Sequence, residues 1–208
     1  MRKSSCLAVG LILFIGAIAA AAQSLPEVEV SGGYSYMNFH PKLPSLTSEN
    51  LNGGGGALVY NVNSWFGFKV ELMDYEFASG WSTTLHELGY VGSASANLFT
   101  YQFGPQIKWR SHKLQPFVES LYGGAHSKGF GSVLKARGDG SNILTGNGTS
   151  NAFAMDVGGG IDLPLSKTVQ IRLAEVDYQV TRFGYKNYSA NQNNFKYFGG
   201  INFTLGEK

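Results

Sequence analysis

The sequence has little charge and, beyond its first residues, neither cysteine nor a long apolar run. Only 14% of its 208 residues are charged, against roughly 25% in an average soluble domain. The 16 basic and 14 acidic residues give a net charge of +2, which leaves no basic face for a phosphate backbone, so no nucleic-acid partner is expected. The aromatic and aliphatic content excludes a disordered chain and predicts one folded domain.

The N-terminus has the three regions of a secretory signal peptide. Arg2 and Lys3 precede an apolar run over residues 7–22 that ends in small residues, and this run is too short for a comfortable membrane span. We expect cleavage after Ala22, which gives a signal peptide at 1–22 and a single domain at 23–208. The only cysteine, Cys6, leaves with the signal peptide, so the exported chain has no disulfide or thiol chemistry.

The rest of the chain repeats with period two, the period of a β-strand. In one segment Phe68 and Val70 alternate with Lys69 and Glu71, so one face is apolar and the other is charged. The same pattern recurs near residues 28–36, 99–109, 153–163 and 195–205. Three further strands are less regular, at 51–62, 116–126 and 168–181. In the last of these the phase changes, and we expect a β-bulge near Ala174.

The connections between these eight strands alternate in length. The long ones cover about 39–51, 76–95, 127–150 and 182–193, and the short ones cover 61–65, 110–115 and 164–168. This pattern is typical of a transmembrane β-barrel. We therefore predict an all-β, eight-stranded antiparallel up-and-down barrel in the cell outer membrane, with short periplasmic turns and long extracellular loops.

A secreted lipocalin-like barrel is the alternative all-β fold, with its apolar face turned inward around a ligand. The polar alternate residues here are mostly Gly, Ser, Thr, Asn and Gln, which suit a narrow interior better than a solvated exterior. Aromatic residues also gather near strand ends, where an interfacial girdle would lie. The predicted girdle comprises Trp65, Phe66, Trp109, Phe117 and Phe203 at the short turns, and Tyr36, Phe39, Phe77, Phe99, Phe153, Phe183 and Phe195 at the long loops.

Charged residues occupy the phase that faces the interior. A buried charge is costly unless it is paired, so we interpret these residues as a salt-bridged plug and not as an ion pathway. The predicted interior charges are Glu29, Lys69, Glu71, Lys108, Glu119, Asp156, Asp162, Arg172, Asp177 and Lys196.

No catalytic, metal or cofactor site is expected. His126 and Ser127 are adjacent in a predicted strand, with Glu119 nearby, but neighbours in a strand point to opposite faces. The four histidines contain no close zinc-type pair. The loop at 127–150 carries Lys128, Lys135 and Arg137, which could contact lipopolysaccharide, but we expect a mobile, solvated loop without a ligand.

Two segments give the chain a family resemblance, GGGIDLPLSKTVQIRLAEVDYQVTRF at 158–183 and NNFKYFGGINFTLG at 193–206. With the even strand count, they resemble the OmpA-type outer-membrane β-barrel proteins, in the small stand-alone porin-family branch. The resemblance implies a structural or interaction role and contact with outer-membrane lipid and lipopolysaccharide. A monomer is expected. A lipid-modifying enzyme, similar to a lipid A deacylase, is the alternative.

The last strand has the clearest alternation and on this topology closes the barrel. The resemblance adds that outer-membrane assembly machinery recognises such a strand, chiefly through Phe203 and Leu205. The predicted closing-strand residues are Phe195, Tyr197, Ile201, Phe203 and Leu205.

Overall fold

The structure is a computed structural model that describes residues 26–42, 48–77, 80–92, 95–144, 148–186 and 188–206. The predicted signal peptide and its cleavage site lie outside the described residues.

Eight long strands form one closed antiparallel barrel, as the period-two pattern predicts. Each strand pairs with its neighbours along the chain, and the last strand pairs with both the seventh and the first. The barrel strands are β1 (Val28–Phe39), β2 (Glu49–Asn61), β3 (Phe66–Phe77), β4 (Asn97–Lys108), β5 (Gln115–Lys128), β6 (Thr149–Pro164), β7 (Val169–Thr181) and β10 (Gln192–Leu205). The long loops hold the hairpin β8 (Gly184–Tyr185) and β9 (Tyr188–Ser189) and the helices α1 (Trp81–Glu87) and α2 (Phe130–Asp139).

The two faces of the sheet differ in polarity. On β3, Val70 and Leu72 are 48% and 49% exposed, whereas Lys69 and Glu71 are 0% and 1% exposed. The same alternation continues around the barrel. The exterior is therefore apolar and the interior is polar, which is the reverse of a lipocalin.

The predicted bulge lies in β7. The register of β7 shifts against β10 between Phe198 and Gly200, and against β6 between Ile161 and Asp162. The extra residue places both Leu173 and Ala174 outward, so that Arg172 and Glu175 both face inward.

The short turns at one end of the barrel are held by side-chain hydrogen bonds. The Oδ1 atom of Asn63 accepts hydrogen bonds from the amides of Trp65 and Phe66, at 3.0 and 2.8 Å. Ser166 Oγ accepts from the amides of Thr168 and Val169 at 3.2 and 3.1 Å. Such local bonds explain why Asn and Ser occur in these tight connections.

The aromatic girdle prediction is wrong for four residues. Phe39, Phe77, Phe117 and Phe183 are at most 9% exposed and face the interior. The reason is strand phase: Phe39 lies in the same phase as the buried Met37. Phe99, Phe153, Phe195, Phe203 and Trp65 are exposed on the exterior.

The described helices are both short. Neither is long and apolar enough to cross a membrane.

Candidate functional site: the sealed barrel interior

All ten charges predicted from the alternation lie inside the barrel. The most exposed of them, Glu119, has a relative exposure of only 5%, and Lys69, Asp156, Asp162, Asp177 and Lys196 have none. The structure therefore brings these residues into one buried group.

In the half of the charged interior nearer the long loops, the carboxylates are bound by two ammonium groups, those of Lys69 and Lys196. Nζ of Lys69 lies 2.8 Å from both Glu71 and Glu119, and 3.0 Å from Glu175. Lys196 donates hydrogen bonds to Glu71 and, at 2.8 Å, to Asp156. Its Nζ also lies 3.1 Å from Oδ2 of Asp177. These contacts link β3, β5, β6, β7 and β10 across the barrel.

The half nearer the short turns centres on Lys108 and Arg172. Lys108 Nζ lies 2.6 Å from Glu29 and 2.7 Å from Asp162. The Arg172 guanidinium donates to Asp162 through Nε and Nη2, at 2.8 and 3.0 Å. Arg172 also donates to Glu175 at 2.7 Å. Because Glu175 also contacts Lys69, it joins the two halves into one network.

Several members of this network do not follow from the sequence pattern. Glu175 comes directly after Ala174, at the point where the phase of β7 changes, and Arg110 lies just beyond the last alternating residue of β4. Amide side chains fill the remaining positions. Gln106 donates to Glu119 at 2.9 Å, and Asn202 donates to Glu29 at 2.8 Å. The alternation places such amides in the interior phase, but it does not name their partners.

The network has an excess of negative charge. Among the described buried side chains, five cations face seven carboxylates. The cations are Lys69, Lys108, Arg110, Arg172 and Lys196, and the carboxylates are Glu29, Glu71, Glu119, Asp156, Asp162, Glu175 and Asp177.

Oxygens of Glu71, Glu119 and Glu175 lie within 4.8 Å of one another, a spacing that suits a metal ion. The Lys69 ammonium contacts all three carboxylates. It therefore supplies the positive charge that such a cluster needs.

Glycine makes room for these large side chains in a narrow barrel. A Cβ atom at Gly158 would lie 2.1 Å from Oδ1 of Asp177, and one at Gly160 would lie 2.7 Å from the Phe117 ring. The Phe117 ring in turn lies 4.4 Å from the Arg172 guanidinium carbon, a cation–π contact.

An apolar cap closes the interior at the long-loop end. Along β3 the inward residues change from Lys69 and Glu71 to Met73, Tyr75 and Phe77. Helix α2 lies over this end, and the Phe130 ring centre lies 5.2 Å from that of Phe39 and 5.5 Å from that of Phe183. Trp81 of α1 packs on Phe77 at 4.6 Å.

The expectation of a mobile, solvated loop at 127–150 is therefore wrong for α2. Phe130, Val133, Leu134 and Ala136 are buried in the cap. The apolar side chains on this segment pack against the barrel mouth, which stabilises a helix too short for its periodicity to be recognised. Lys128, Lys135 and Arg137 remain exposed.

The residues considered for catalysis do not converge. His126 faces outward and shares a hydrogen bond of 2.7 Å with Asn151. Ser127 is fully buried and donates to the backbone oxygen of Asn97. Glu119 is bound to Lys69 deeper in the barrel.

The opposite end of the barrel has a cavity of about 520 Å³ between the short turns. Arg110 and Lys167 are its charged members, and His112 also lines it. The interior therefore ends in an apolar cap on one side and a polar, basic cavity on the other.

No protein-family profile and no curated protein sequence matches the chain. Solved structures do match. Neisserial surface protein A (NspA) is 13% identical with a TM-score of 0.59, over 86% of this chain and 97% of that chain. The N-terminal β-barrel domain of Pseudomonas aeruginosa OprF is 12% identical with a TM-score of 0.48, over 88% and 100% of the two chains.

Ail, the attachment invasion locus protein of Yersinia pestis, is 12% identical with a TM-score of 0.47, over 86% and 99% of the two chains. The fold assignment rests on NspA, whose TM-score exceeds 0.5. The chain has the fold of the small outer-membrane β-barrel proteins.

Proposed function

We propose that this chain is an OmpA-type outer-membrane β-barrel protein with a structural and interaction role, anchored by its strands and closed to solutes. The observation that carries the proposal is the apolar exterior of a closed barrel. Large apolar side chains on all eight barrel strands are between 36% and 64% exposed. A soluble barrel would pay a large cost to leave such a surface in water, whereas hydrocarbon accommodates it.

The unequal connections support one orientation. In outer-membrane barrels the short turns face the periplasm and the long loops face outward. The apolar cap and α2 would then lie at the cell surface, and the basic cavity would lie on the periplasmic side.

The exposed cations near α2 support an interaction role at that surface. Lys128, Lys135 and Arg137 remain exposed while the apolar face of α2 is buried. Lys186 pairs with Asp139 at the end of α2, and this hydrogen bond raises the pKa of the Lys186 ammonium. We propose that Lys128, Lys135 and Arg137 contact anionic groups of lipopolysaccharide. We also propose that the protein is a monomer and that outer-membrane lipid is its main partner.

Fractionation with single-cysteine labelling tests the location and the orientation. Residues 26–206 contain no cysteine, so Ser141→Cys in the long loops and Lys113→Cys in a short turn each give one label site. A membrane-impermeant maleimide should label Ser141→Cys on intact cells, and Lys113→Cys only after the outer membrane is permeabilised. Recovery of the protein in the soluble fraction would contradict the proposal.

A lipid A mass profile separates this role from that of a lipid-modifying enzyme. We expect the same acylation pattern in cells with and without the protein. A lost acyl chain that depends on the protein would favour the enzyme instead.

A further inference from the structure

The cavity at the short-turn end has the composition of an anion site. It lies between the turn after β4 and the turn after β6. Its lining consists of Pro26, Arg110, Ser111, His112, Gln115, Pro164, Leu165, Ser166, Lys167, Gln170 and Thr204. None of these lining residues is Asp or Glu, so the charged lining groups are Arg110 and Lys167.

Arg110 is buried at the end of the barrel, and only one of its three guanidinium nitrogens has a partner among the described residues. Its side chain is 5% exposed. Nη2 donates to Asn61 at 2.7 Å and lies 2.8 Å from Glu29. The buried Nε and Nη1 atoms have no hydrogen-bond partner among the described residues. Because a guanidinium carries five N–H donors in a fixed fork, two of its three nitrogens carry N–H groups that no described residue accepts.

The carboxylate that Arg110 contacts is also bound by other groups. The Glu29 carboxylate is shared between Arg110, Lys108 and Asn202. Lys167, from the other turn, adds a second cation to the rim. The cavity therefore combines one buried and one exposed cation with no carboxylate in its lining.

We propose that this cavity binds a phosphate group through Arg110 and Lys167. A guanidinium fork matches the geometry of phosphate oxygens, and an ammonium adds a second positive charge. Ser166 supplies a hydroxyl at the same rim. Its Oγ atom accepts two backbone amide hydrogen bonds and lies 3.5 Å from the Thr168 hydroxyl oxygen. The phosphate can belong to a free anion or to a lipid headgroup.

Nuclear magnetic resonance of the refolded barrel in maltoside micelles, which contain no phosphate, tests the proposal. Inorganic phosphate is titrated while the Nε–H signal of Arg110 and the backbone amides of residues 165–168 are followed. We expect saturable shifts in these signals, and we expect Lys167→Gln to weaken binding roughly tenfold.

Lys113→Gln is the matched control. Lys113 is an exposed lysine in the same turn as Arg110, but it does not line the cavity. This variant should bind like the parent protein. Arg110→Gln should abolish binding. If the loss of Arg110 disturbs folding, Lys167→Gln still tests the proposal, because Lys167 is exposed.

A second arm identifies the source of the phosphate. If the ligand is a lipid headgroup, doping the micelles with phosphatidylglycerol produces the shifts and inorganic phosphate alone does not. If it is a free anion, the reverse holds. In either arm Lys167→Gln must weaken the effect and Lys113→Gln must not. Absence of saturable shifts in both arms, or equal effects of the two lysine variants, would overturn the proposal.

Discussion

Asp162 and Asp177 are both fully buried carboxylates, but their surroundings differ. Asp162 contacts Arg172 through two hydrogen bonds and Lys108 at 2.7 Å. Asp177 contacts one ammonium, that of Lys196, at 3.1 Å, and neither of its oxygens has a hydrogen-bond partner among the described residues. Because the network has two surplus carboxylates, removing the charge of Asp162 should lower the stability of the barrel much more than removing the charge of Asp177.

We expect Asp162→Asn to lower the free energy of unfolding by about 3–5 kcal/mol, because it leaves buried cations poorly compensated. Asp177→Asn should change this free energy by less than about 1 kcal/mol or raise it, because Lys196 keeps Glu71 and Asp156. Denaturant unfolding of both variants in the same micelles measures the difference. Equal losses would contradict the charge balance described here.

A substitution at Ile201 tests whether the outward face of the sheet contacts lipid. It lies in β10, four residues before the end of the strand, and is 47% exposed. Ile201→Arg should cost about 2–4 kcal/mol in a bilayer, as expected for arginine near the midplane. Leu205→Arg, at the end of the same strand, should cost only about 0–1 kcal/mol. Unfolding of both variants in lipid vesicles gives the comparison, and equal costs would mean that the assigned depth is wrong.

At the scale of elements, β10 closes the barrel because it pairs with both β7 and β1. Its removal would leave two edges with unpaired N–H and C=O groups at membrane depth, each costing several kcal/mol in hydrocarbon.

We therefore predict that a chain truncated after Lys186 is exported but stays protease-sensitive and outside the membrane fraction. Phe203→Ala, which keeps the strand, should lower the yield in the outer membrane without changing export. Protease digestion of fractionated cells measures both effects. A protease-resistant, detergent-extractable truncated protein would show that the barrel closes without β10.

The strands could be predicted from the sequence because one face of each strand meets an apolar environment, which gives a strict period of two. The bulge at Ala174 followed from the change of phase within β7. Helix α2 could not be predicted in this way, because its ten residues are stabilised by Phe39 and Phe183 from distant parts of the chain.

In the candidate site too, the alternation predicts which side chains face inward, but it does not predict their contacts. The ten charges named from strand parity all lie inside the barrel. Glu175 was missed because it comes directly after Ala174, where the phase of β7 changes, and Arg110 was missed because it follows the end of β4. Which cation pairs with which carboxylate depends on the curvature of the closed barrel. The alternation of residues along a strand gives only the face on which each residue lies.

At the scale of the whole molecule, the charged network and the apolar cap together fill the barrel up to the cavity at its short-turn end. An eight-stranded barrel has an interior just wide enough for side chains. We expect the purified protein in a planar bilayer to give no large steady conductance, and only small or rare openings. A stable, porin-sized current from a single chain would mean that the network and the cap do not seal the interior.

The central claim is that the outward face of the sheet contacts acyl chains, while the inward face between the apolar cap and the short-turn cavity is closed to both water and lipid. Spin labels at single cysteines along β10 in lipid vesicles test it most directly, through collision with oxygen, which dissolves in hydrocarbon, and with a water-soluble nickel complex. Labels at Ile201 and Phe203 should collide often with oxygen and rarely with nickel, and a label at Asn202 should collide rarely with either. Frequent nickel collisions at Ile201 and Phe203 would contradict the account.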